Sequence, residues 1–309
     1  MANETQGVFT LSDVRDATLN LTWVIQGWNS VWFGGGYGTF STIDRINFSN
    51  DLPTAAVRGP LSLKRFGTGA SGNYQDAWFG GGGDGPFAYS RVDRIIFSAD
   101  TATAVAKGSL TASKKYLSAS GNTTDAWFGG GTPGPISTVD RIIFSSDSST
   151  AVAKGPLSLA RNGLASSGTS TDAWFGGGTV YPTVHSIVDR VIFSSDTAAS
   201  VAKGPLASSK YHLAASGNST DAWFGCGYTS LAVSTVDRII FSTDTAAAVA
   251  KGPLFLARYA LAAGGNATDA WFGGGFGTSR VDKIIFSADT ATASARGPLS
   301  AGRYGLTAN

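Results

Sequence analysis

The phrase Trp-Phe-Gly-Gly-Gly recurs at residues 32–36, 78–82, 127–131, 174–178 and 271–275, and once more at 223–227 with Cys226 at its middle glycine. Successive tryptophans are 46, 49, 47, 49 and 48 residues apart. A fixed period near 50 without a helical pattern signals a repeat architecture, in which each unit buries its apolar face only against its neighbours. Two spacings inside the unit are invariant. The aspartate of Val-Asp-Arg lies 15 residues before the glycine of Lys-Gly-Pro in all six units, and that glycine lies 19 before the next tryptophan in the five cases that can be counted. From tryptophan to the following aspartate the distance runs 12, 15, 13, 15, 14 and 11. All length variation is therefore confined to one connection, directly after the glycines.

Each unit holds four short segments. A small-residue run (Tyr211 to Asn218 in one unit) is followed by Asp-Ala-Trp-Phe, by Val-Asp-Arg-Ile-Ile-Phe with the two-residue alternation of a strand, and by Ala-Val-Ala-Lys-Gly-Pro-Leu. Turn residues separate them, and no capped 3.6-residue pattern predicts a helix. Four strands per unit of about 48 residues predict an all-β fold: a six-bladed β-propeller of four-stranded antiparallel blades. The innermost strands must carry small side chains, as 67–72 (GTGASG) and 213–217 (LAASG) do, while Trp, Phe and Ile fill the widening space between blades. The glycines after Trp-Phe allow positive φ or close approach of a neighbour. Residues 303–309 begin a seventh unit and stop, and the first unit has a poor first strand of its own. Residues 302–307 are therefore expected to supply the innermost strand of blade one and close the ring. The chain divides into an N-terminal arm, 1–30, and the propeller, 31–309.

The order of these elements resembles kelch repeats. An apolar strand ends in glycines, a variable loop and two strands follow, and a basic residue opens the next unit: Arg65, Lys114, Arg161, Lys210, Arg258 and Arg303. The match runs from about Trp32 to Tyr304. It departs in the fourth strand, where Ala and Val stand in place of a kelch tryptophan, so the resemblance implies a kelch-like ring and not membership of that family.

Composition excludes several functions. The chain of 309 residues carries eight Trp, eighteen Phe and nine Tyr, enough for a large core, and a net charge of +2. That charge gives no strong pull toward nucleic acid or membrane. Cys226 is the only cysteine, so no internal disulfide forms. Residues 1–20 lack the pattern of a signal peptide, and no window approaches a membrane-spanning length.

Chemistry is sought where the repeat is broken, since a catalytic site is singular. The pairs Asp44/Arg45, Asp93/Arg94, Asp140/Arg141, Asp189/Arg190, Asp237/Arg238 and Asp282/Lys283 occur six times, and neighbours on a strand face opposite sides, so they read as scaffold. Asp51, Asp100, Asp147, Asp196, Asp244 and Asp289 sit in turns, where a carboxylate accepts from nearby backbone N–H groups; no calcium loop surrounds them. The six basic residues that open the units are expected to pair with Asp76, Asp125, Asp172, Asp221 and Asp269 rather than to form a positive face. The triple glycine lacks the features of a phosphate loop. His185 and His212 lie in different segments, with no triad or metal motif. Cys226 reads as a small buried thiol. No catalytic residue, cofactor or metal is assigned.

The variable connections carry the binding candidates, because loops on a rigid scaffold concentrate recognition. These are Tyr37, Phe40, Phe87, Tyr89, Arg91, Tyr181, His185, Tyr228, Leu231, Phe276 and Arg280, in a setting of Ser, Thr and Gly that suits sugar rings or a protein surface. In the arm, Val8, Phe9, Leu11, Trp23 and Trp28 are expected to touch another chain.

Residues 7–23 (GVFTLSDVRDATLNLTW) resemble N-terminal stretches of phage tail-appendage and other virion proteins, especially of phages infecting marine bacteria. The near-identical repeats resemble those of marine phage structural proteins. The resemblance implies a virion protein, tail- or fibre-associated, that docks on other virion proteins through the arm within an oligomeric assembly. Its ring would turn outward toward a host glycan or receptor. A stand-alone lectin-like or protein-docking module needs the same loops without a particle, and an enzyme ranks last for want of a singular cluster of carboxylates or metal ligands.

Overall fold

The computed structural model describes residues 29–38 and 40–309, and these form six four-stranded antiparallel blades in a closed ring. Blade 2 is representative of the strand order from axis to rim: Phe66–Gly72, Asp76–Asp84, Arg91–Ile96 and Val105–Ser109. The expected arm contacts Val8, Phe9, Leu11, Trp23 and Trp28 lie outside the described residues. No helix among the described residues is long and apolar enough to cross a membrane.

Each seam between blades is built by the tryptophan of one blade and the turn of the next. The Trp127 indole N–H donates to Asp196 Oδ2 at 2.8 Å, and its ring stacks on Phe193 with centroids 3.7 Å apart. Arg141 of the same blade as Trp127 lies over the other face, 5.3 Å from the centroid. Asp196 also takes Lys154 Nζ at 3.1 Å, so two elements of one blade grip one carboxylate of its neighbour. The same indole–carboxylate bond recurs at every seam, including Trp271 to Asp51 across the junction of blades 6 and 1. The expectation that these turn aspartates serve nearby backbone N–H groups is corrected: their side chains accept from the preceding blade. The turn itself has a regular form. After the third strand, five blades make a single 3₁₀ turn, as at Phe193–Ser195, which swings the phenylalanine back onto the neighbouring indole.

The three glycines meet three different obstacles. A Cβ on Gly80 would lie 2.6 Å from the Phe128 ring of the next blade. One on Gly81 would lie 2.6 Å from the Lys114 carbonyl oxygen, also of the next blade, and φ there is +68°. The third position, Gly131 in blade 3, has φ +119° and faces the Lys115 carbonyl oxygen of its own blade. Cys226 occupies the second position with φ 58°, and its buried thiol is pushed up to about 11, leaving it neutral. The glycine of Lys-Gly-Pro is fixed by approach as well: a Cβ on Gly155 would lie 1.7 Å from the Ala198 carbonyl oxygen of the next blade.

The C-terminal segment meets the first described strand in blade 1. The strand order is Thr307–Ala308, Ser30–Gly34, Ile43–Asn47 and Ala56–Arg58, so the C-terminal segment supplies the innermost strand. Pairing falls at the end of the expected 302–307 interval and runs past it: Ala308 faces Phe33, and Asn309 and Trp32 exchange backbone bonds at 3.0 and 3.1 Å. Residues just before it are not strand because they perform the lead-in task. Arg303 is buried on Asp44, Gly305 turns with φ +67°, and Leu306 enters the core between blades 6 and 1.

A closed circle of backbone bonds surrounds the axis. Tyr116 N–H donates to Gly67 O, Gly163 to Tyr116, His212 to Gly163, Ala260 to His212, Gly305 to Ala260, and Gly67 to Gly305, at 2.6–2.8 Å. All six residues have φ between 53° and 67°. The last two bonds exist only because the C-terminal segment is seated. Deleting 302–309 removes them together with the Arg303–Asp44 pair and Leu306, and is expected to lower the melting temperature by about 10–20 °C; an unchanged melting curve would refute closure by this segment.

Candidate binding face

Antiparallel order places the variable connections and the segments leading into each inner strand on the same face of the ring. The basic residue of each lead-in is not on that surface. Arg65, Lys114, Arg161, Lys210, Arg258 and Arg303 are all buried. They also do not pair with Asp76 and its equivalents, as the sequence reading expects. Arg161 Nη1 donates to Asp189 at 2.7 Å and Nη2 to the Phe175 carbonyl oxygen at 3.0 Å. The cause lies in the register: Phe175 of the second strand stands opposite Asp189 of the third, so one guanidinium fork reaches the carbonyl of the first and the carboxylate of the second together. Asp172 and its equivalents instead take the other half of the Asp-Arg pair, Arg190 Nε to Asp172 Oδ1 being 2.9 Å, on the opposite side of the sheet. Repeated charge is thus consumed inside the blades and at their seams.

With those charges buried, residue identity as well as connection length distinguishes the blades on this face. Two positions per blade form its lip: the residue after the basic lead-in and the residue after the third glycine. Backbone bonds join the two. Tyr211 and Tyr228 exchange N–H···O bonds at 3.1 and 2.8 Å, Asn162 and Thr179 at 3.1 and 2.9 Å, and Lys115 and Thr132 at 2.9 Å each way. Tyr37 donates to Tyr304 and Phe276 to Tyr259. The lips of blades 5, 6 and 1 are aromatic at both positions, blade 2 contributes Phe66, and blades 3 and 4 carry Lys, Thr and Asn.

The aromatic side chains touch in sequence around the ring. Centroid separations are 5.6 Å for Tyr211–Tyr228, 5.1 Å for Tyr228–Tyr259, 5.3 Å for Tyr259–Phe276 and 5.2 Å for Phe276–Tyr304. The series continues through Tyr304–Tyr37 at 4.9 Å and Tyr37–Phe66 at 5.0 Å. Tyr116 and His212, both on the axial circle, join its two ends across the mouth of the axis, 4.8 Å apart. Burial pushes the Tyr116 phenol up to about 12, so it stays a neutral hydroxyl. The cavity beneath is about 90 Å³, walled by Ala, Ser, Gly and Leu of the inner strands. It is far smaller than a pocket of ~300 Å³ or more that encloses an organic ligand.

Among the residues singled out from the sequence, Tyr37, Tyr228 and Phe276 join this arc. Phe87, Leu231 and Tyr181 stand apart at loop tips, the last 92% exposed. Arg91 and Arg280 are turned back to Asp93 and Asp282, and Arg280 lies 4.0 Å over Phe255. Phe40 lies beneath Arg303, and the backbones of Tyr89 and His185 hold the lead-ins of the next blades through Lys114 and Lys210. Sequence reasoning missed Phe66, Tyr211, Tyr259 and Tyr304, because they head the segment read as small and axial. The signal was present at one fixed position: Phe, Lys, Asn, Tyr, Tyr, Tyr after six basic residues.

Among the described residues no group of three or more His, Cys, Asp or Glu is arranged to hold a metal. No protein-family model matches the sequence, and no curated protein matches it.

Two measurements check the energetics of this face. Lys114 reaches the Phe128 carbonyl oxygen at only 3.3 Å, and burial pulls its ammonium below the ordinary value against the pull of Asp140. Lys114→Arg, which copies four other blades, is expected to raise stability by about 0.5–1 kcal/mol in urea unfolding. Burial also pushes the His212 imidazole down to about 4. Its unfolded value is about 6.5, so between those limits the unfolded chain binds more protons and stability falls as pH falls. His212→Gly suits φ 53° and matches three other blades. It is expected to make the stability loss between pH 7 and pH 4.5 shallower; an identical slope would show a solvated imidazole.

Proposed function

We propose that this protein is a non-enzymatic binding propeller serving as a structural component of a bacteriophage particle, tail- or fibre-associated. It docks through residues 1–30 and turns the face that bears the variable connections toward a host surface or protein partner. The observation that carries the binding role is the broken symmetry of that face: the scaffold repeats six times, while the aromatic lip spans blades 5, 6, 1 and 2 alone. Scaffold requirements do not explain the asymmetry, since blades 3 and 4 build the same backbone lip from Lys, Thr and Asn. The repeated buried carboxylates each face a cation of the scaffold, which leaves them no role as acid or base.

The particle setting is supported by sequence likeness. Residues 7–23 resemble the N-terminal stretches of virion proteins, the repeats resemble those of marine phage structural proteins, and the strand order is kelch-like. A stand-alone lectin-like or protein-docking module is the second reading, favoured by the arc itself, which is complete within one chain. Mass spectrometry of purified particles from cultures expressing the protein separates the two. Recovery of its peptides in stoichiometric amount with other virion proteins is expected, and their absence from washed particles would remove the particle setting.

A further inference from the structure

We infer that the aromatic lip is a binding site for a neutral carbohydrate chain, laid along the arc with its sugar rings against the side chains of Tyr211/Tyr228, Tyr259/Phe276 and Tyr304/Tyr37. This inference rests on the binding role proposed above and names the ligand class. Three observations carry it.

The first is preorganisation. Each aromatic pair rides on backbone bonds within its own lip, and consecutive rings hold one another at 4.9–5.6 Å. A ligand therefore meets a formed surface and need not order loops, which removes a main cost of binding. The second is amphipathy. Five of these six side chains are tyrosines, each offering an apolar ring face and a hydroxyl. A pyranose presents the matching surface: a face of C–H groups edged by hydroxyls that donate and accept.

The third is electrostatic. Single-stranded nucleic acid also stacks on successive aromatics, but it needs a basic groove beside them. Here the basic residue of every lead-in is sealed inside its blade, and Lys115, at the far end of the arc over Phe66, gives its ammonium to the Gly85 carbonyl oxygen at 2.7 Å. The chain as a whole carries +2. A polyanion finds only the single ammonium of Lys115, at one end of the arc, and a neutral polysaccharide requires no counter-charge. The polar lips of blades 3 and 4, with Asn162 and Thr132, give the ring a hydrogen-bonding sector opposite the stacking one.

The test is titration of the full chain with a panel of neutral linear oligosaccharides (gluco-, manno-, galacto- and xylo-hexaoses), followed by calorimetry and intrinsic fluorescence, beside a dT12 oligonucleotide. Binding of at least one hexaose is expected, with quenching of tyrosine emission and no response to dT12. Tyr228→Ala and Tyr259→Ala should each weaken it by about five- to tenfold, Tyr259→Phe should retain most of it, and Tyr181→Ala and Leu231→Ala, at loop tips outside the arc, should leave it unchanged. Matching melting curves exclude misfolding of the variants. Failure of every hexaose, or binding that ignores Tyr228→Ala and Tyr259→Ala while yielding to Tyr181→Ala, would overturn the inference. Tight binding of dT12 at the same rings would overturn the ligand class. A parallel pull-down of intact bacteria by the wild-type chain keeps the two readings apart: adhesion that survives both arc substitutions sinks the carbohydrate site but leaves the binding role standing, and no adhesion to any strain sinks the host-surface role.

Discussion

One carboxylate per blade holds the ring together. The aspartate at the end of each third strand receives the indole N–H, a basic group of the third strand and a basic group of the outer strand, all from the preceding blade. A hydrogen bond to a charged group contributes about 1.5–3 kcal/mol, and cation–π contact adds roughly 0.5–1 kcal/mol at a partly exposed site. The seam is also where tryptophan and phenylalanine are buried against each other. The fixed spacings of the repeat follow from this geometry. Trp, Arg, Lys-Gly and the turn aspartate meet at one point from four segments, and a residue gained or lost within a strand or in the invariant spans would break the meeting. The connection after the glycines takes no part, and there alone the length varies.

The period, the strand content, the blade number and the closure by the C-terminal segment were legible in the sequence because each depends on local pattern: small residues at the axis, alternation in the third strand, bulky residues between. The partners of the charged residues were not. Arg65 and Asp76 are close in sequence, yet the lead-in reaches over the second strand to Asp93, and Asp76 meets Arg94 two positions along the sheet. Which carboxylate a cation meets depends on strand register and on which side of the sheet each faces, and single-strand alternation cannot fix the pairing between strands. The 3₁₀ turns escaped for a related reason: they exist to bring Phe193 and its equivalents onto an indole of another blade.

The candidate binding face was half legible. Length variation drew attention to the loops, and three loop aromatics do lie in the arc. The remaining members sit at a position of constant spacing, where only residue identity changes. The search for variable length passed over them, since Tyr211 looked like the first residue of an axial strand. The structure separates two kinds of irregularity. Loop tips such as Tyr181 differ in length and stand alone, whereas lip residues differ in kind and stand in contact.

The lip has a consequence for how such a surface changes over time. Its residues are anchored through main-chain atoms, which every amino acid other than proline supplies alike, so Lys115, Asn162 and Tyr211 hold equivalent places with equal ease. A point substitution there changes the chemistry of one sector of the face and leaves the seams untouched. Duplicating a blade would carry a whole sector with it. The surface chemistry of this architecture can therefore drift wedge by wedge, uncoupled from the geometry that the carboxylate junctions impose.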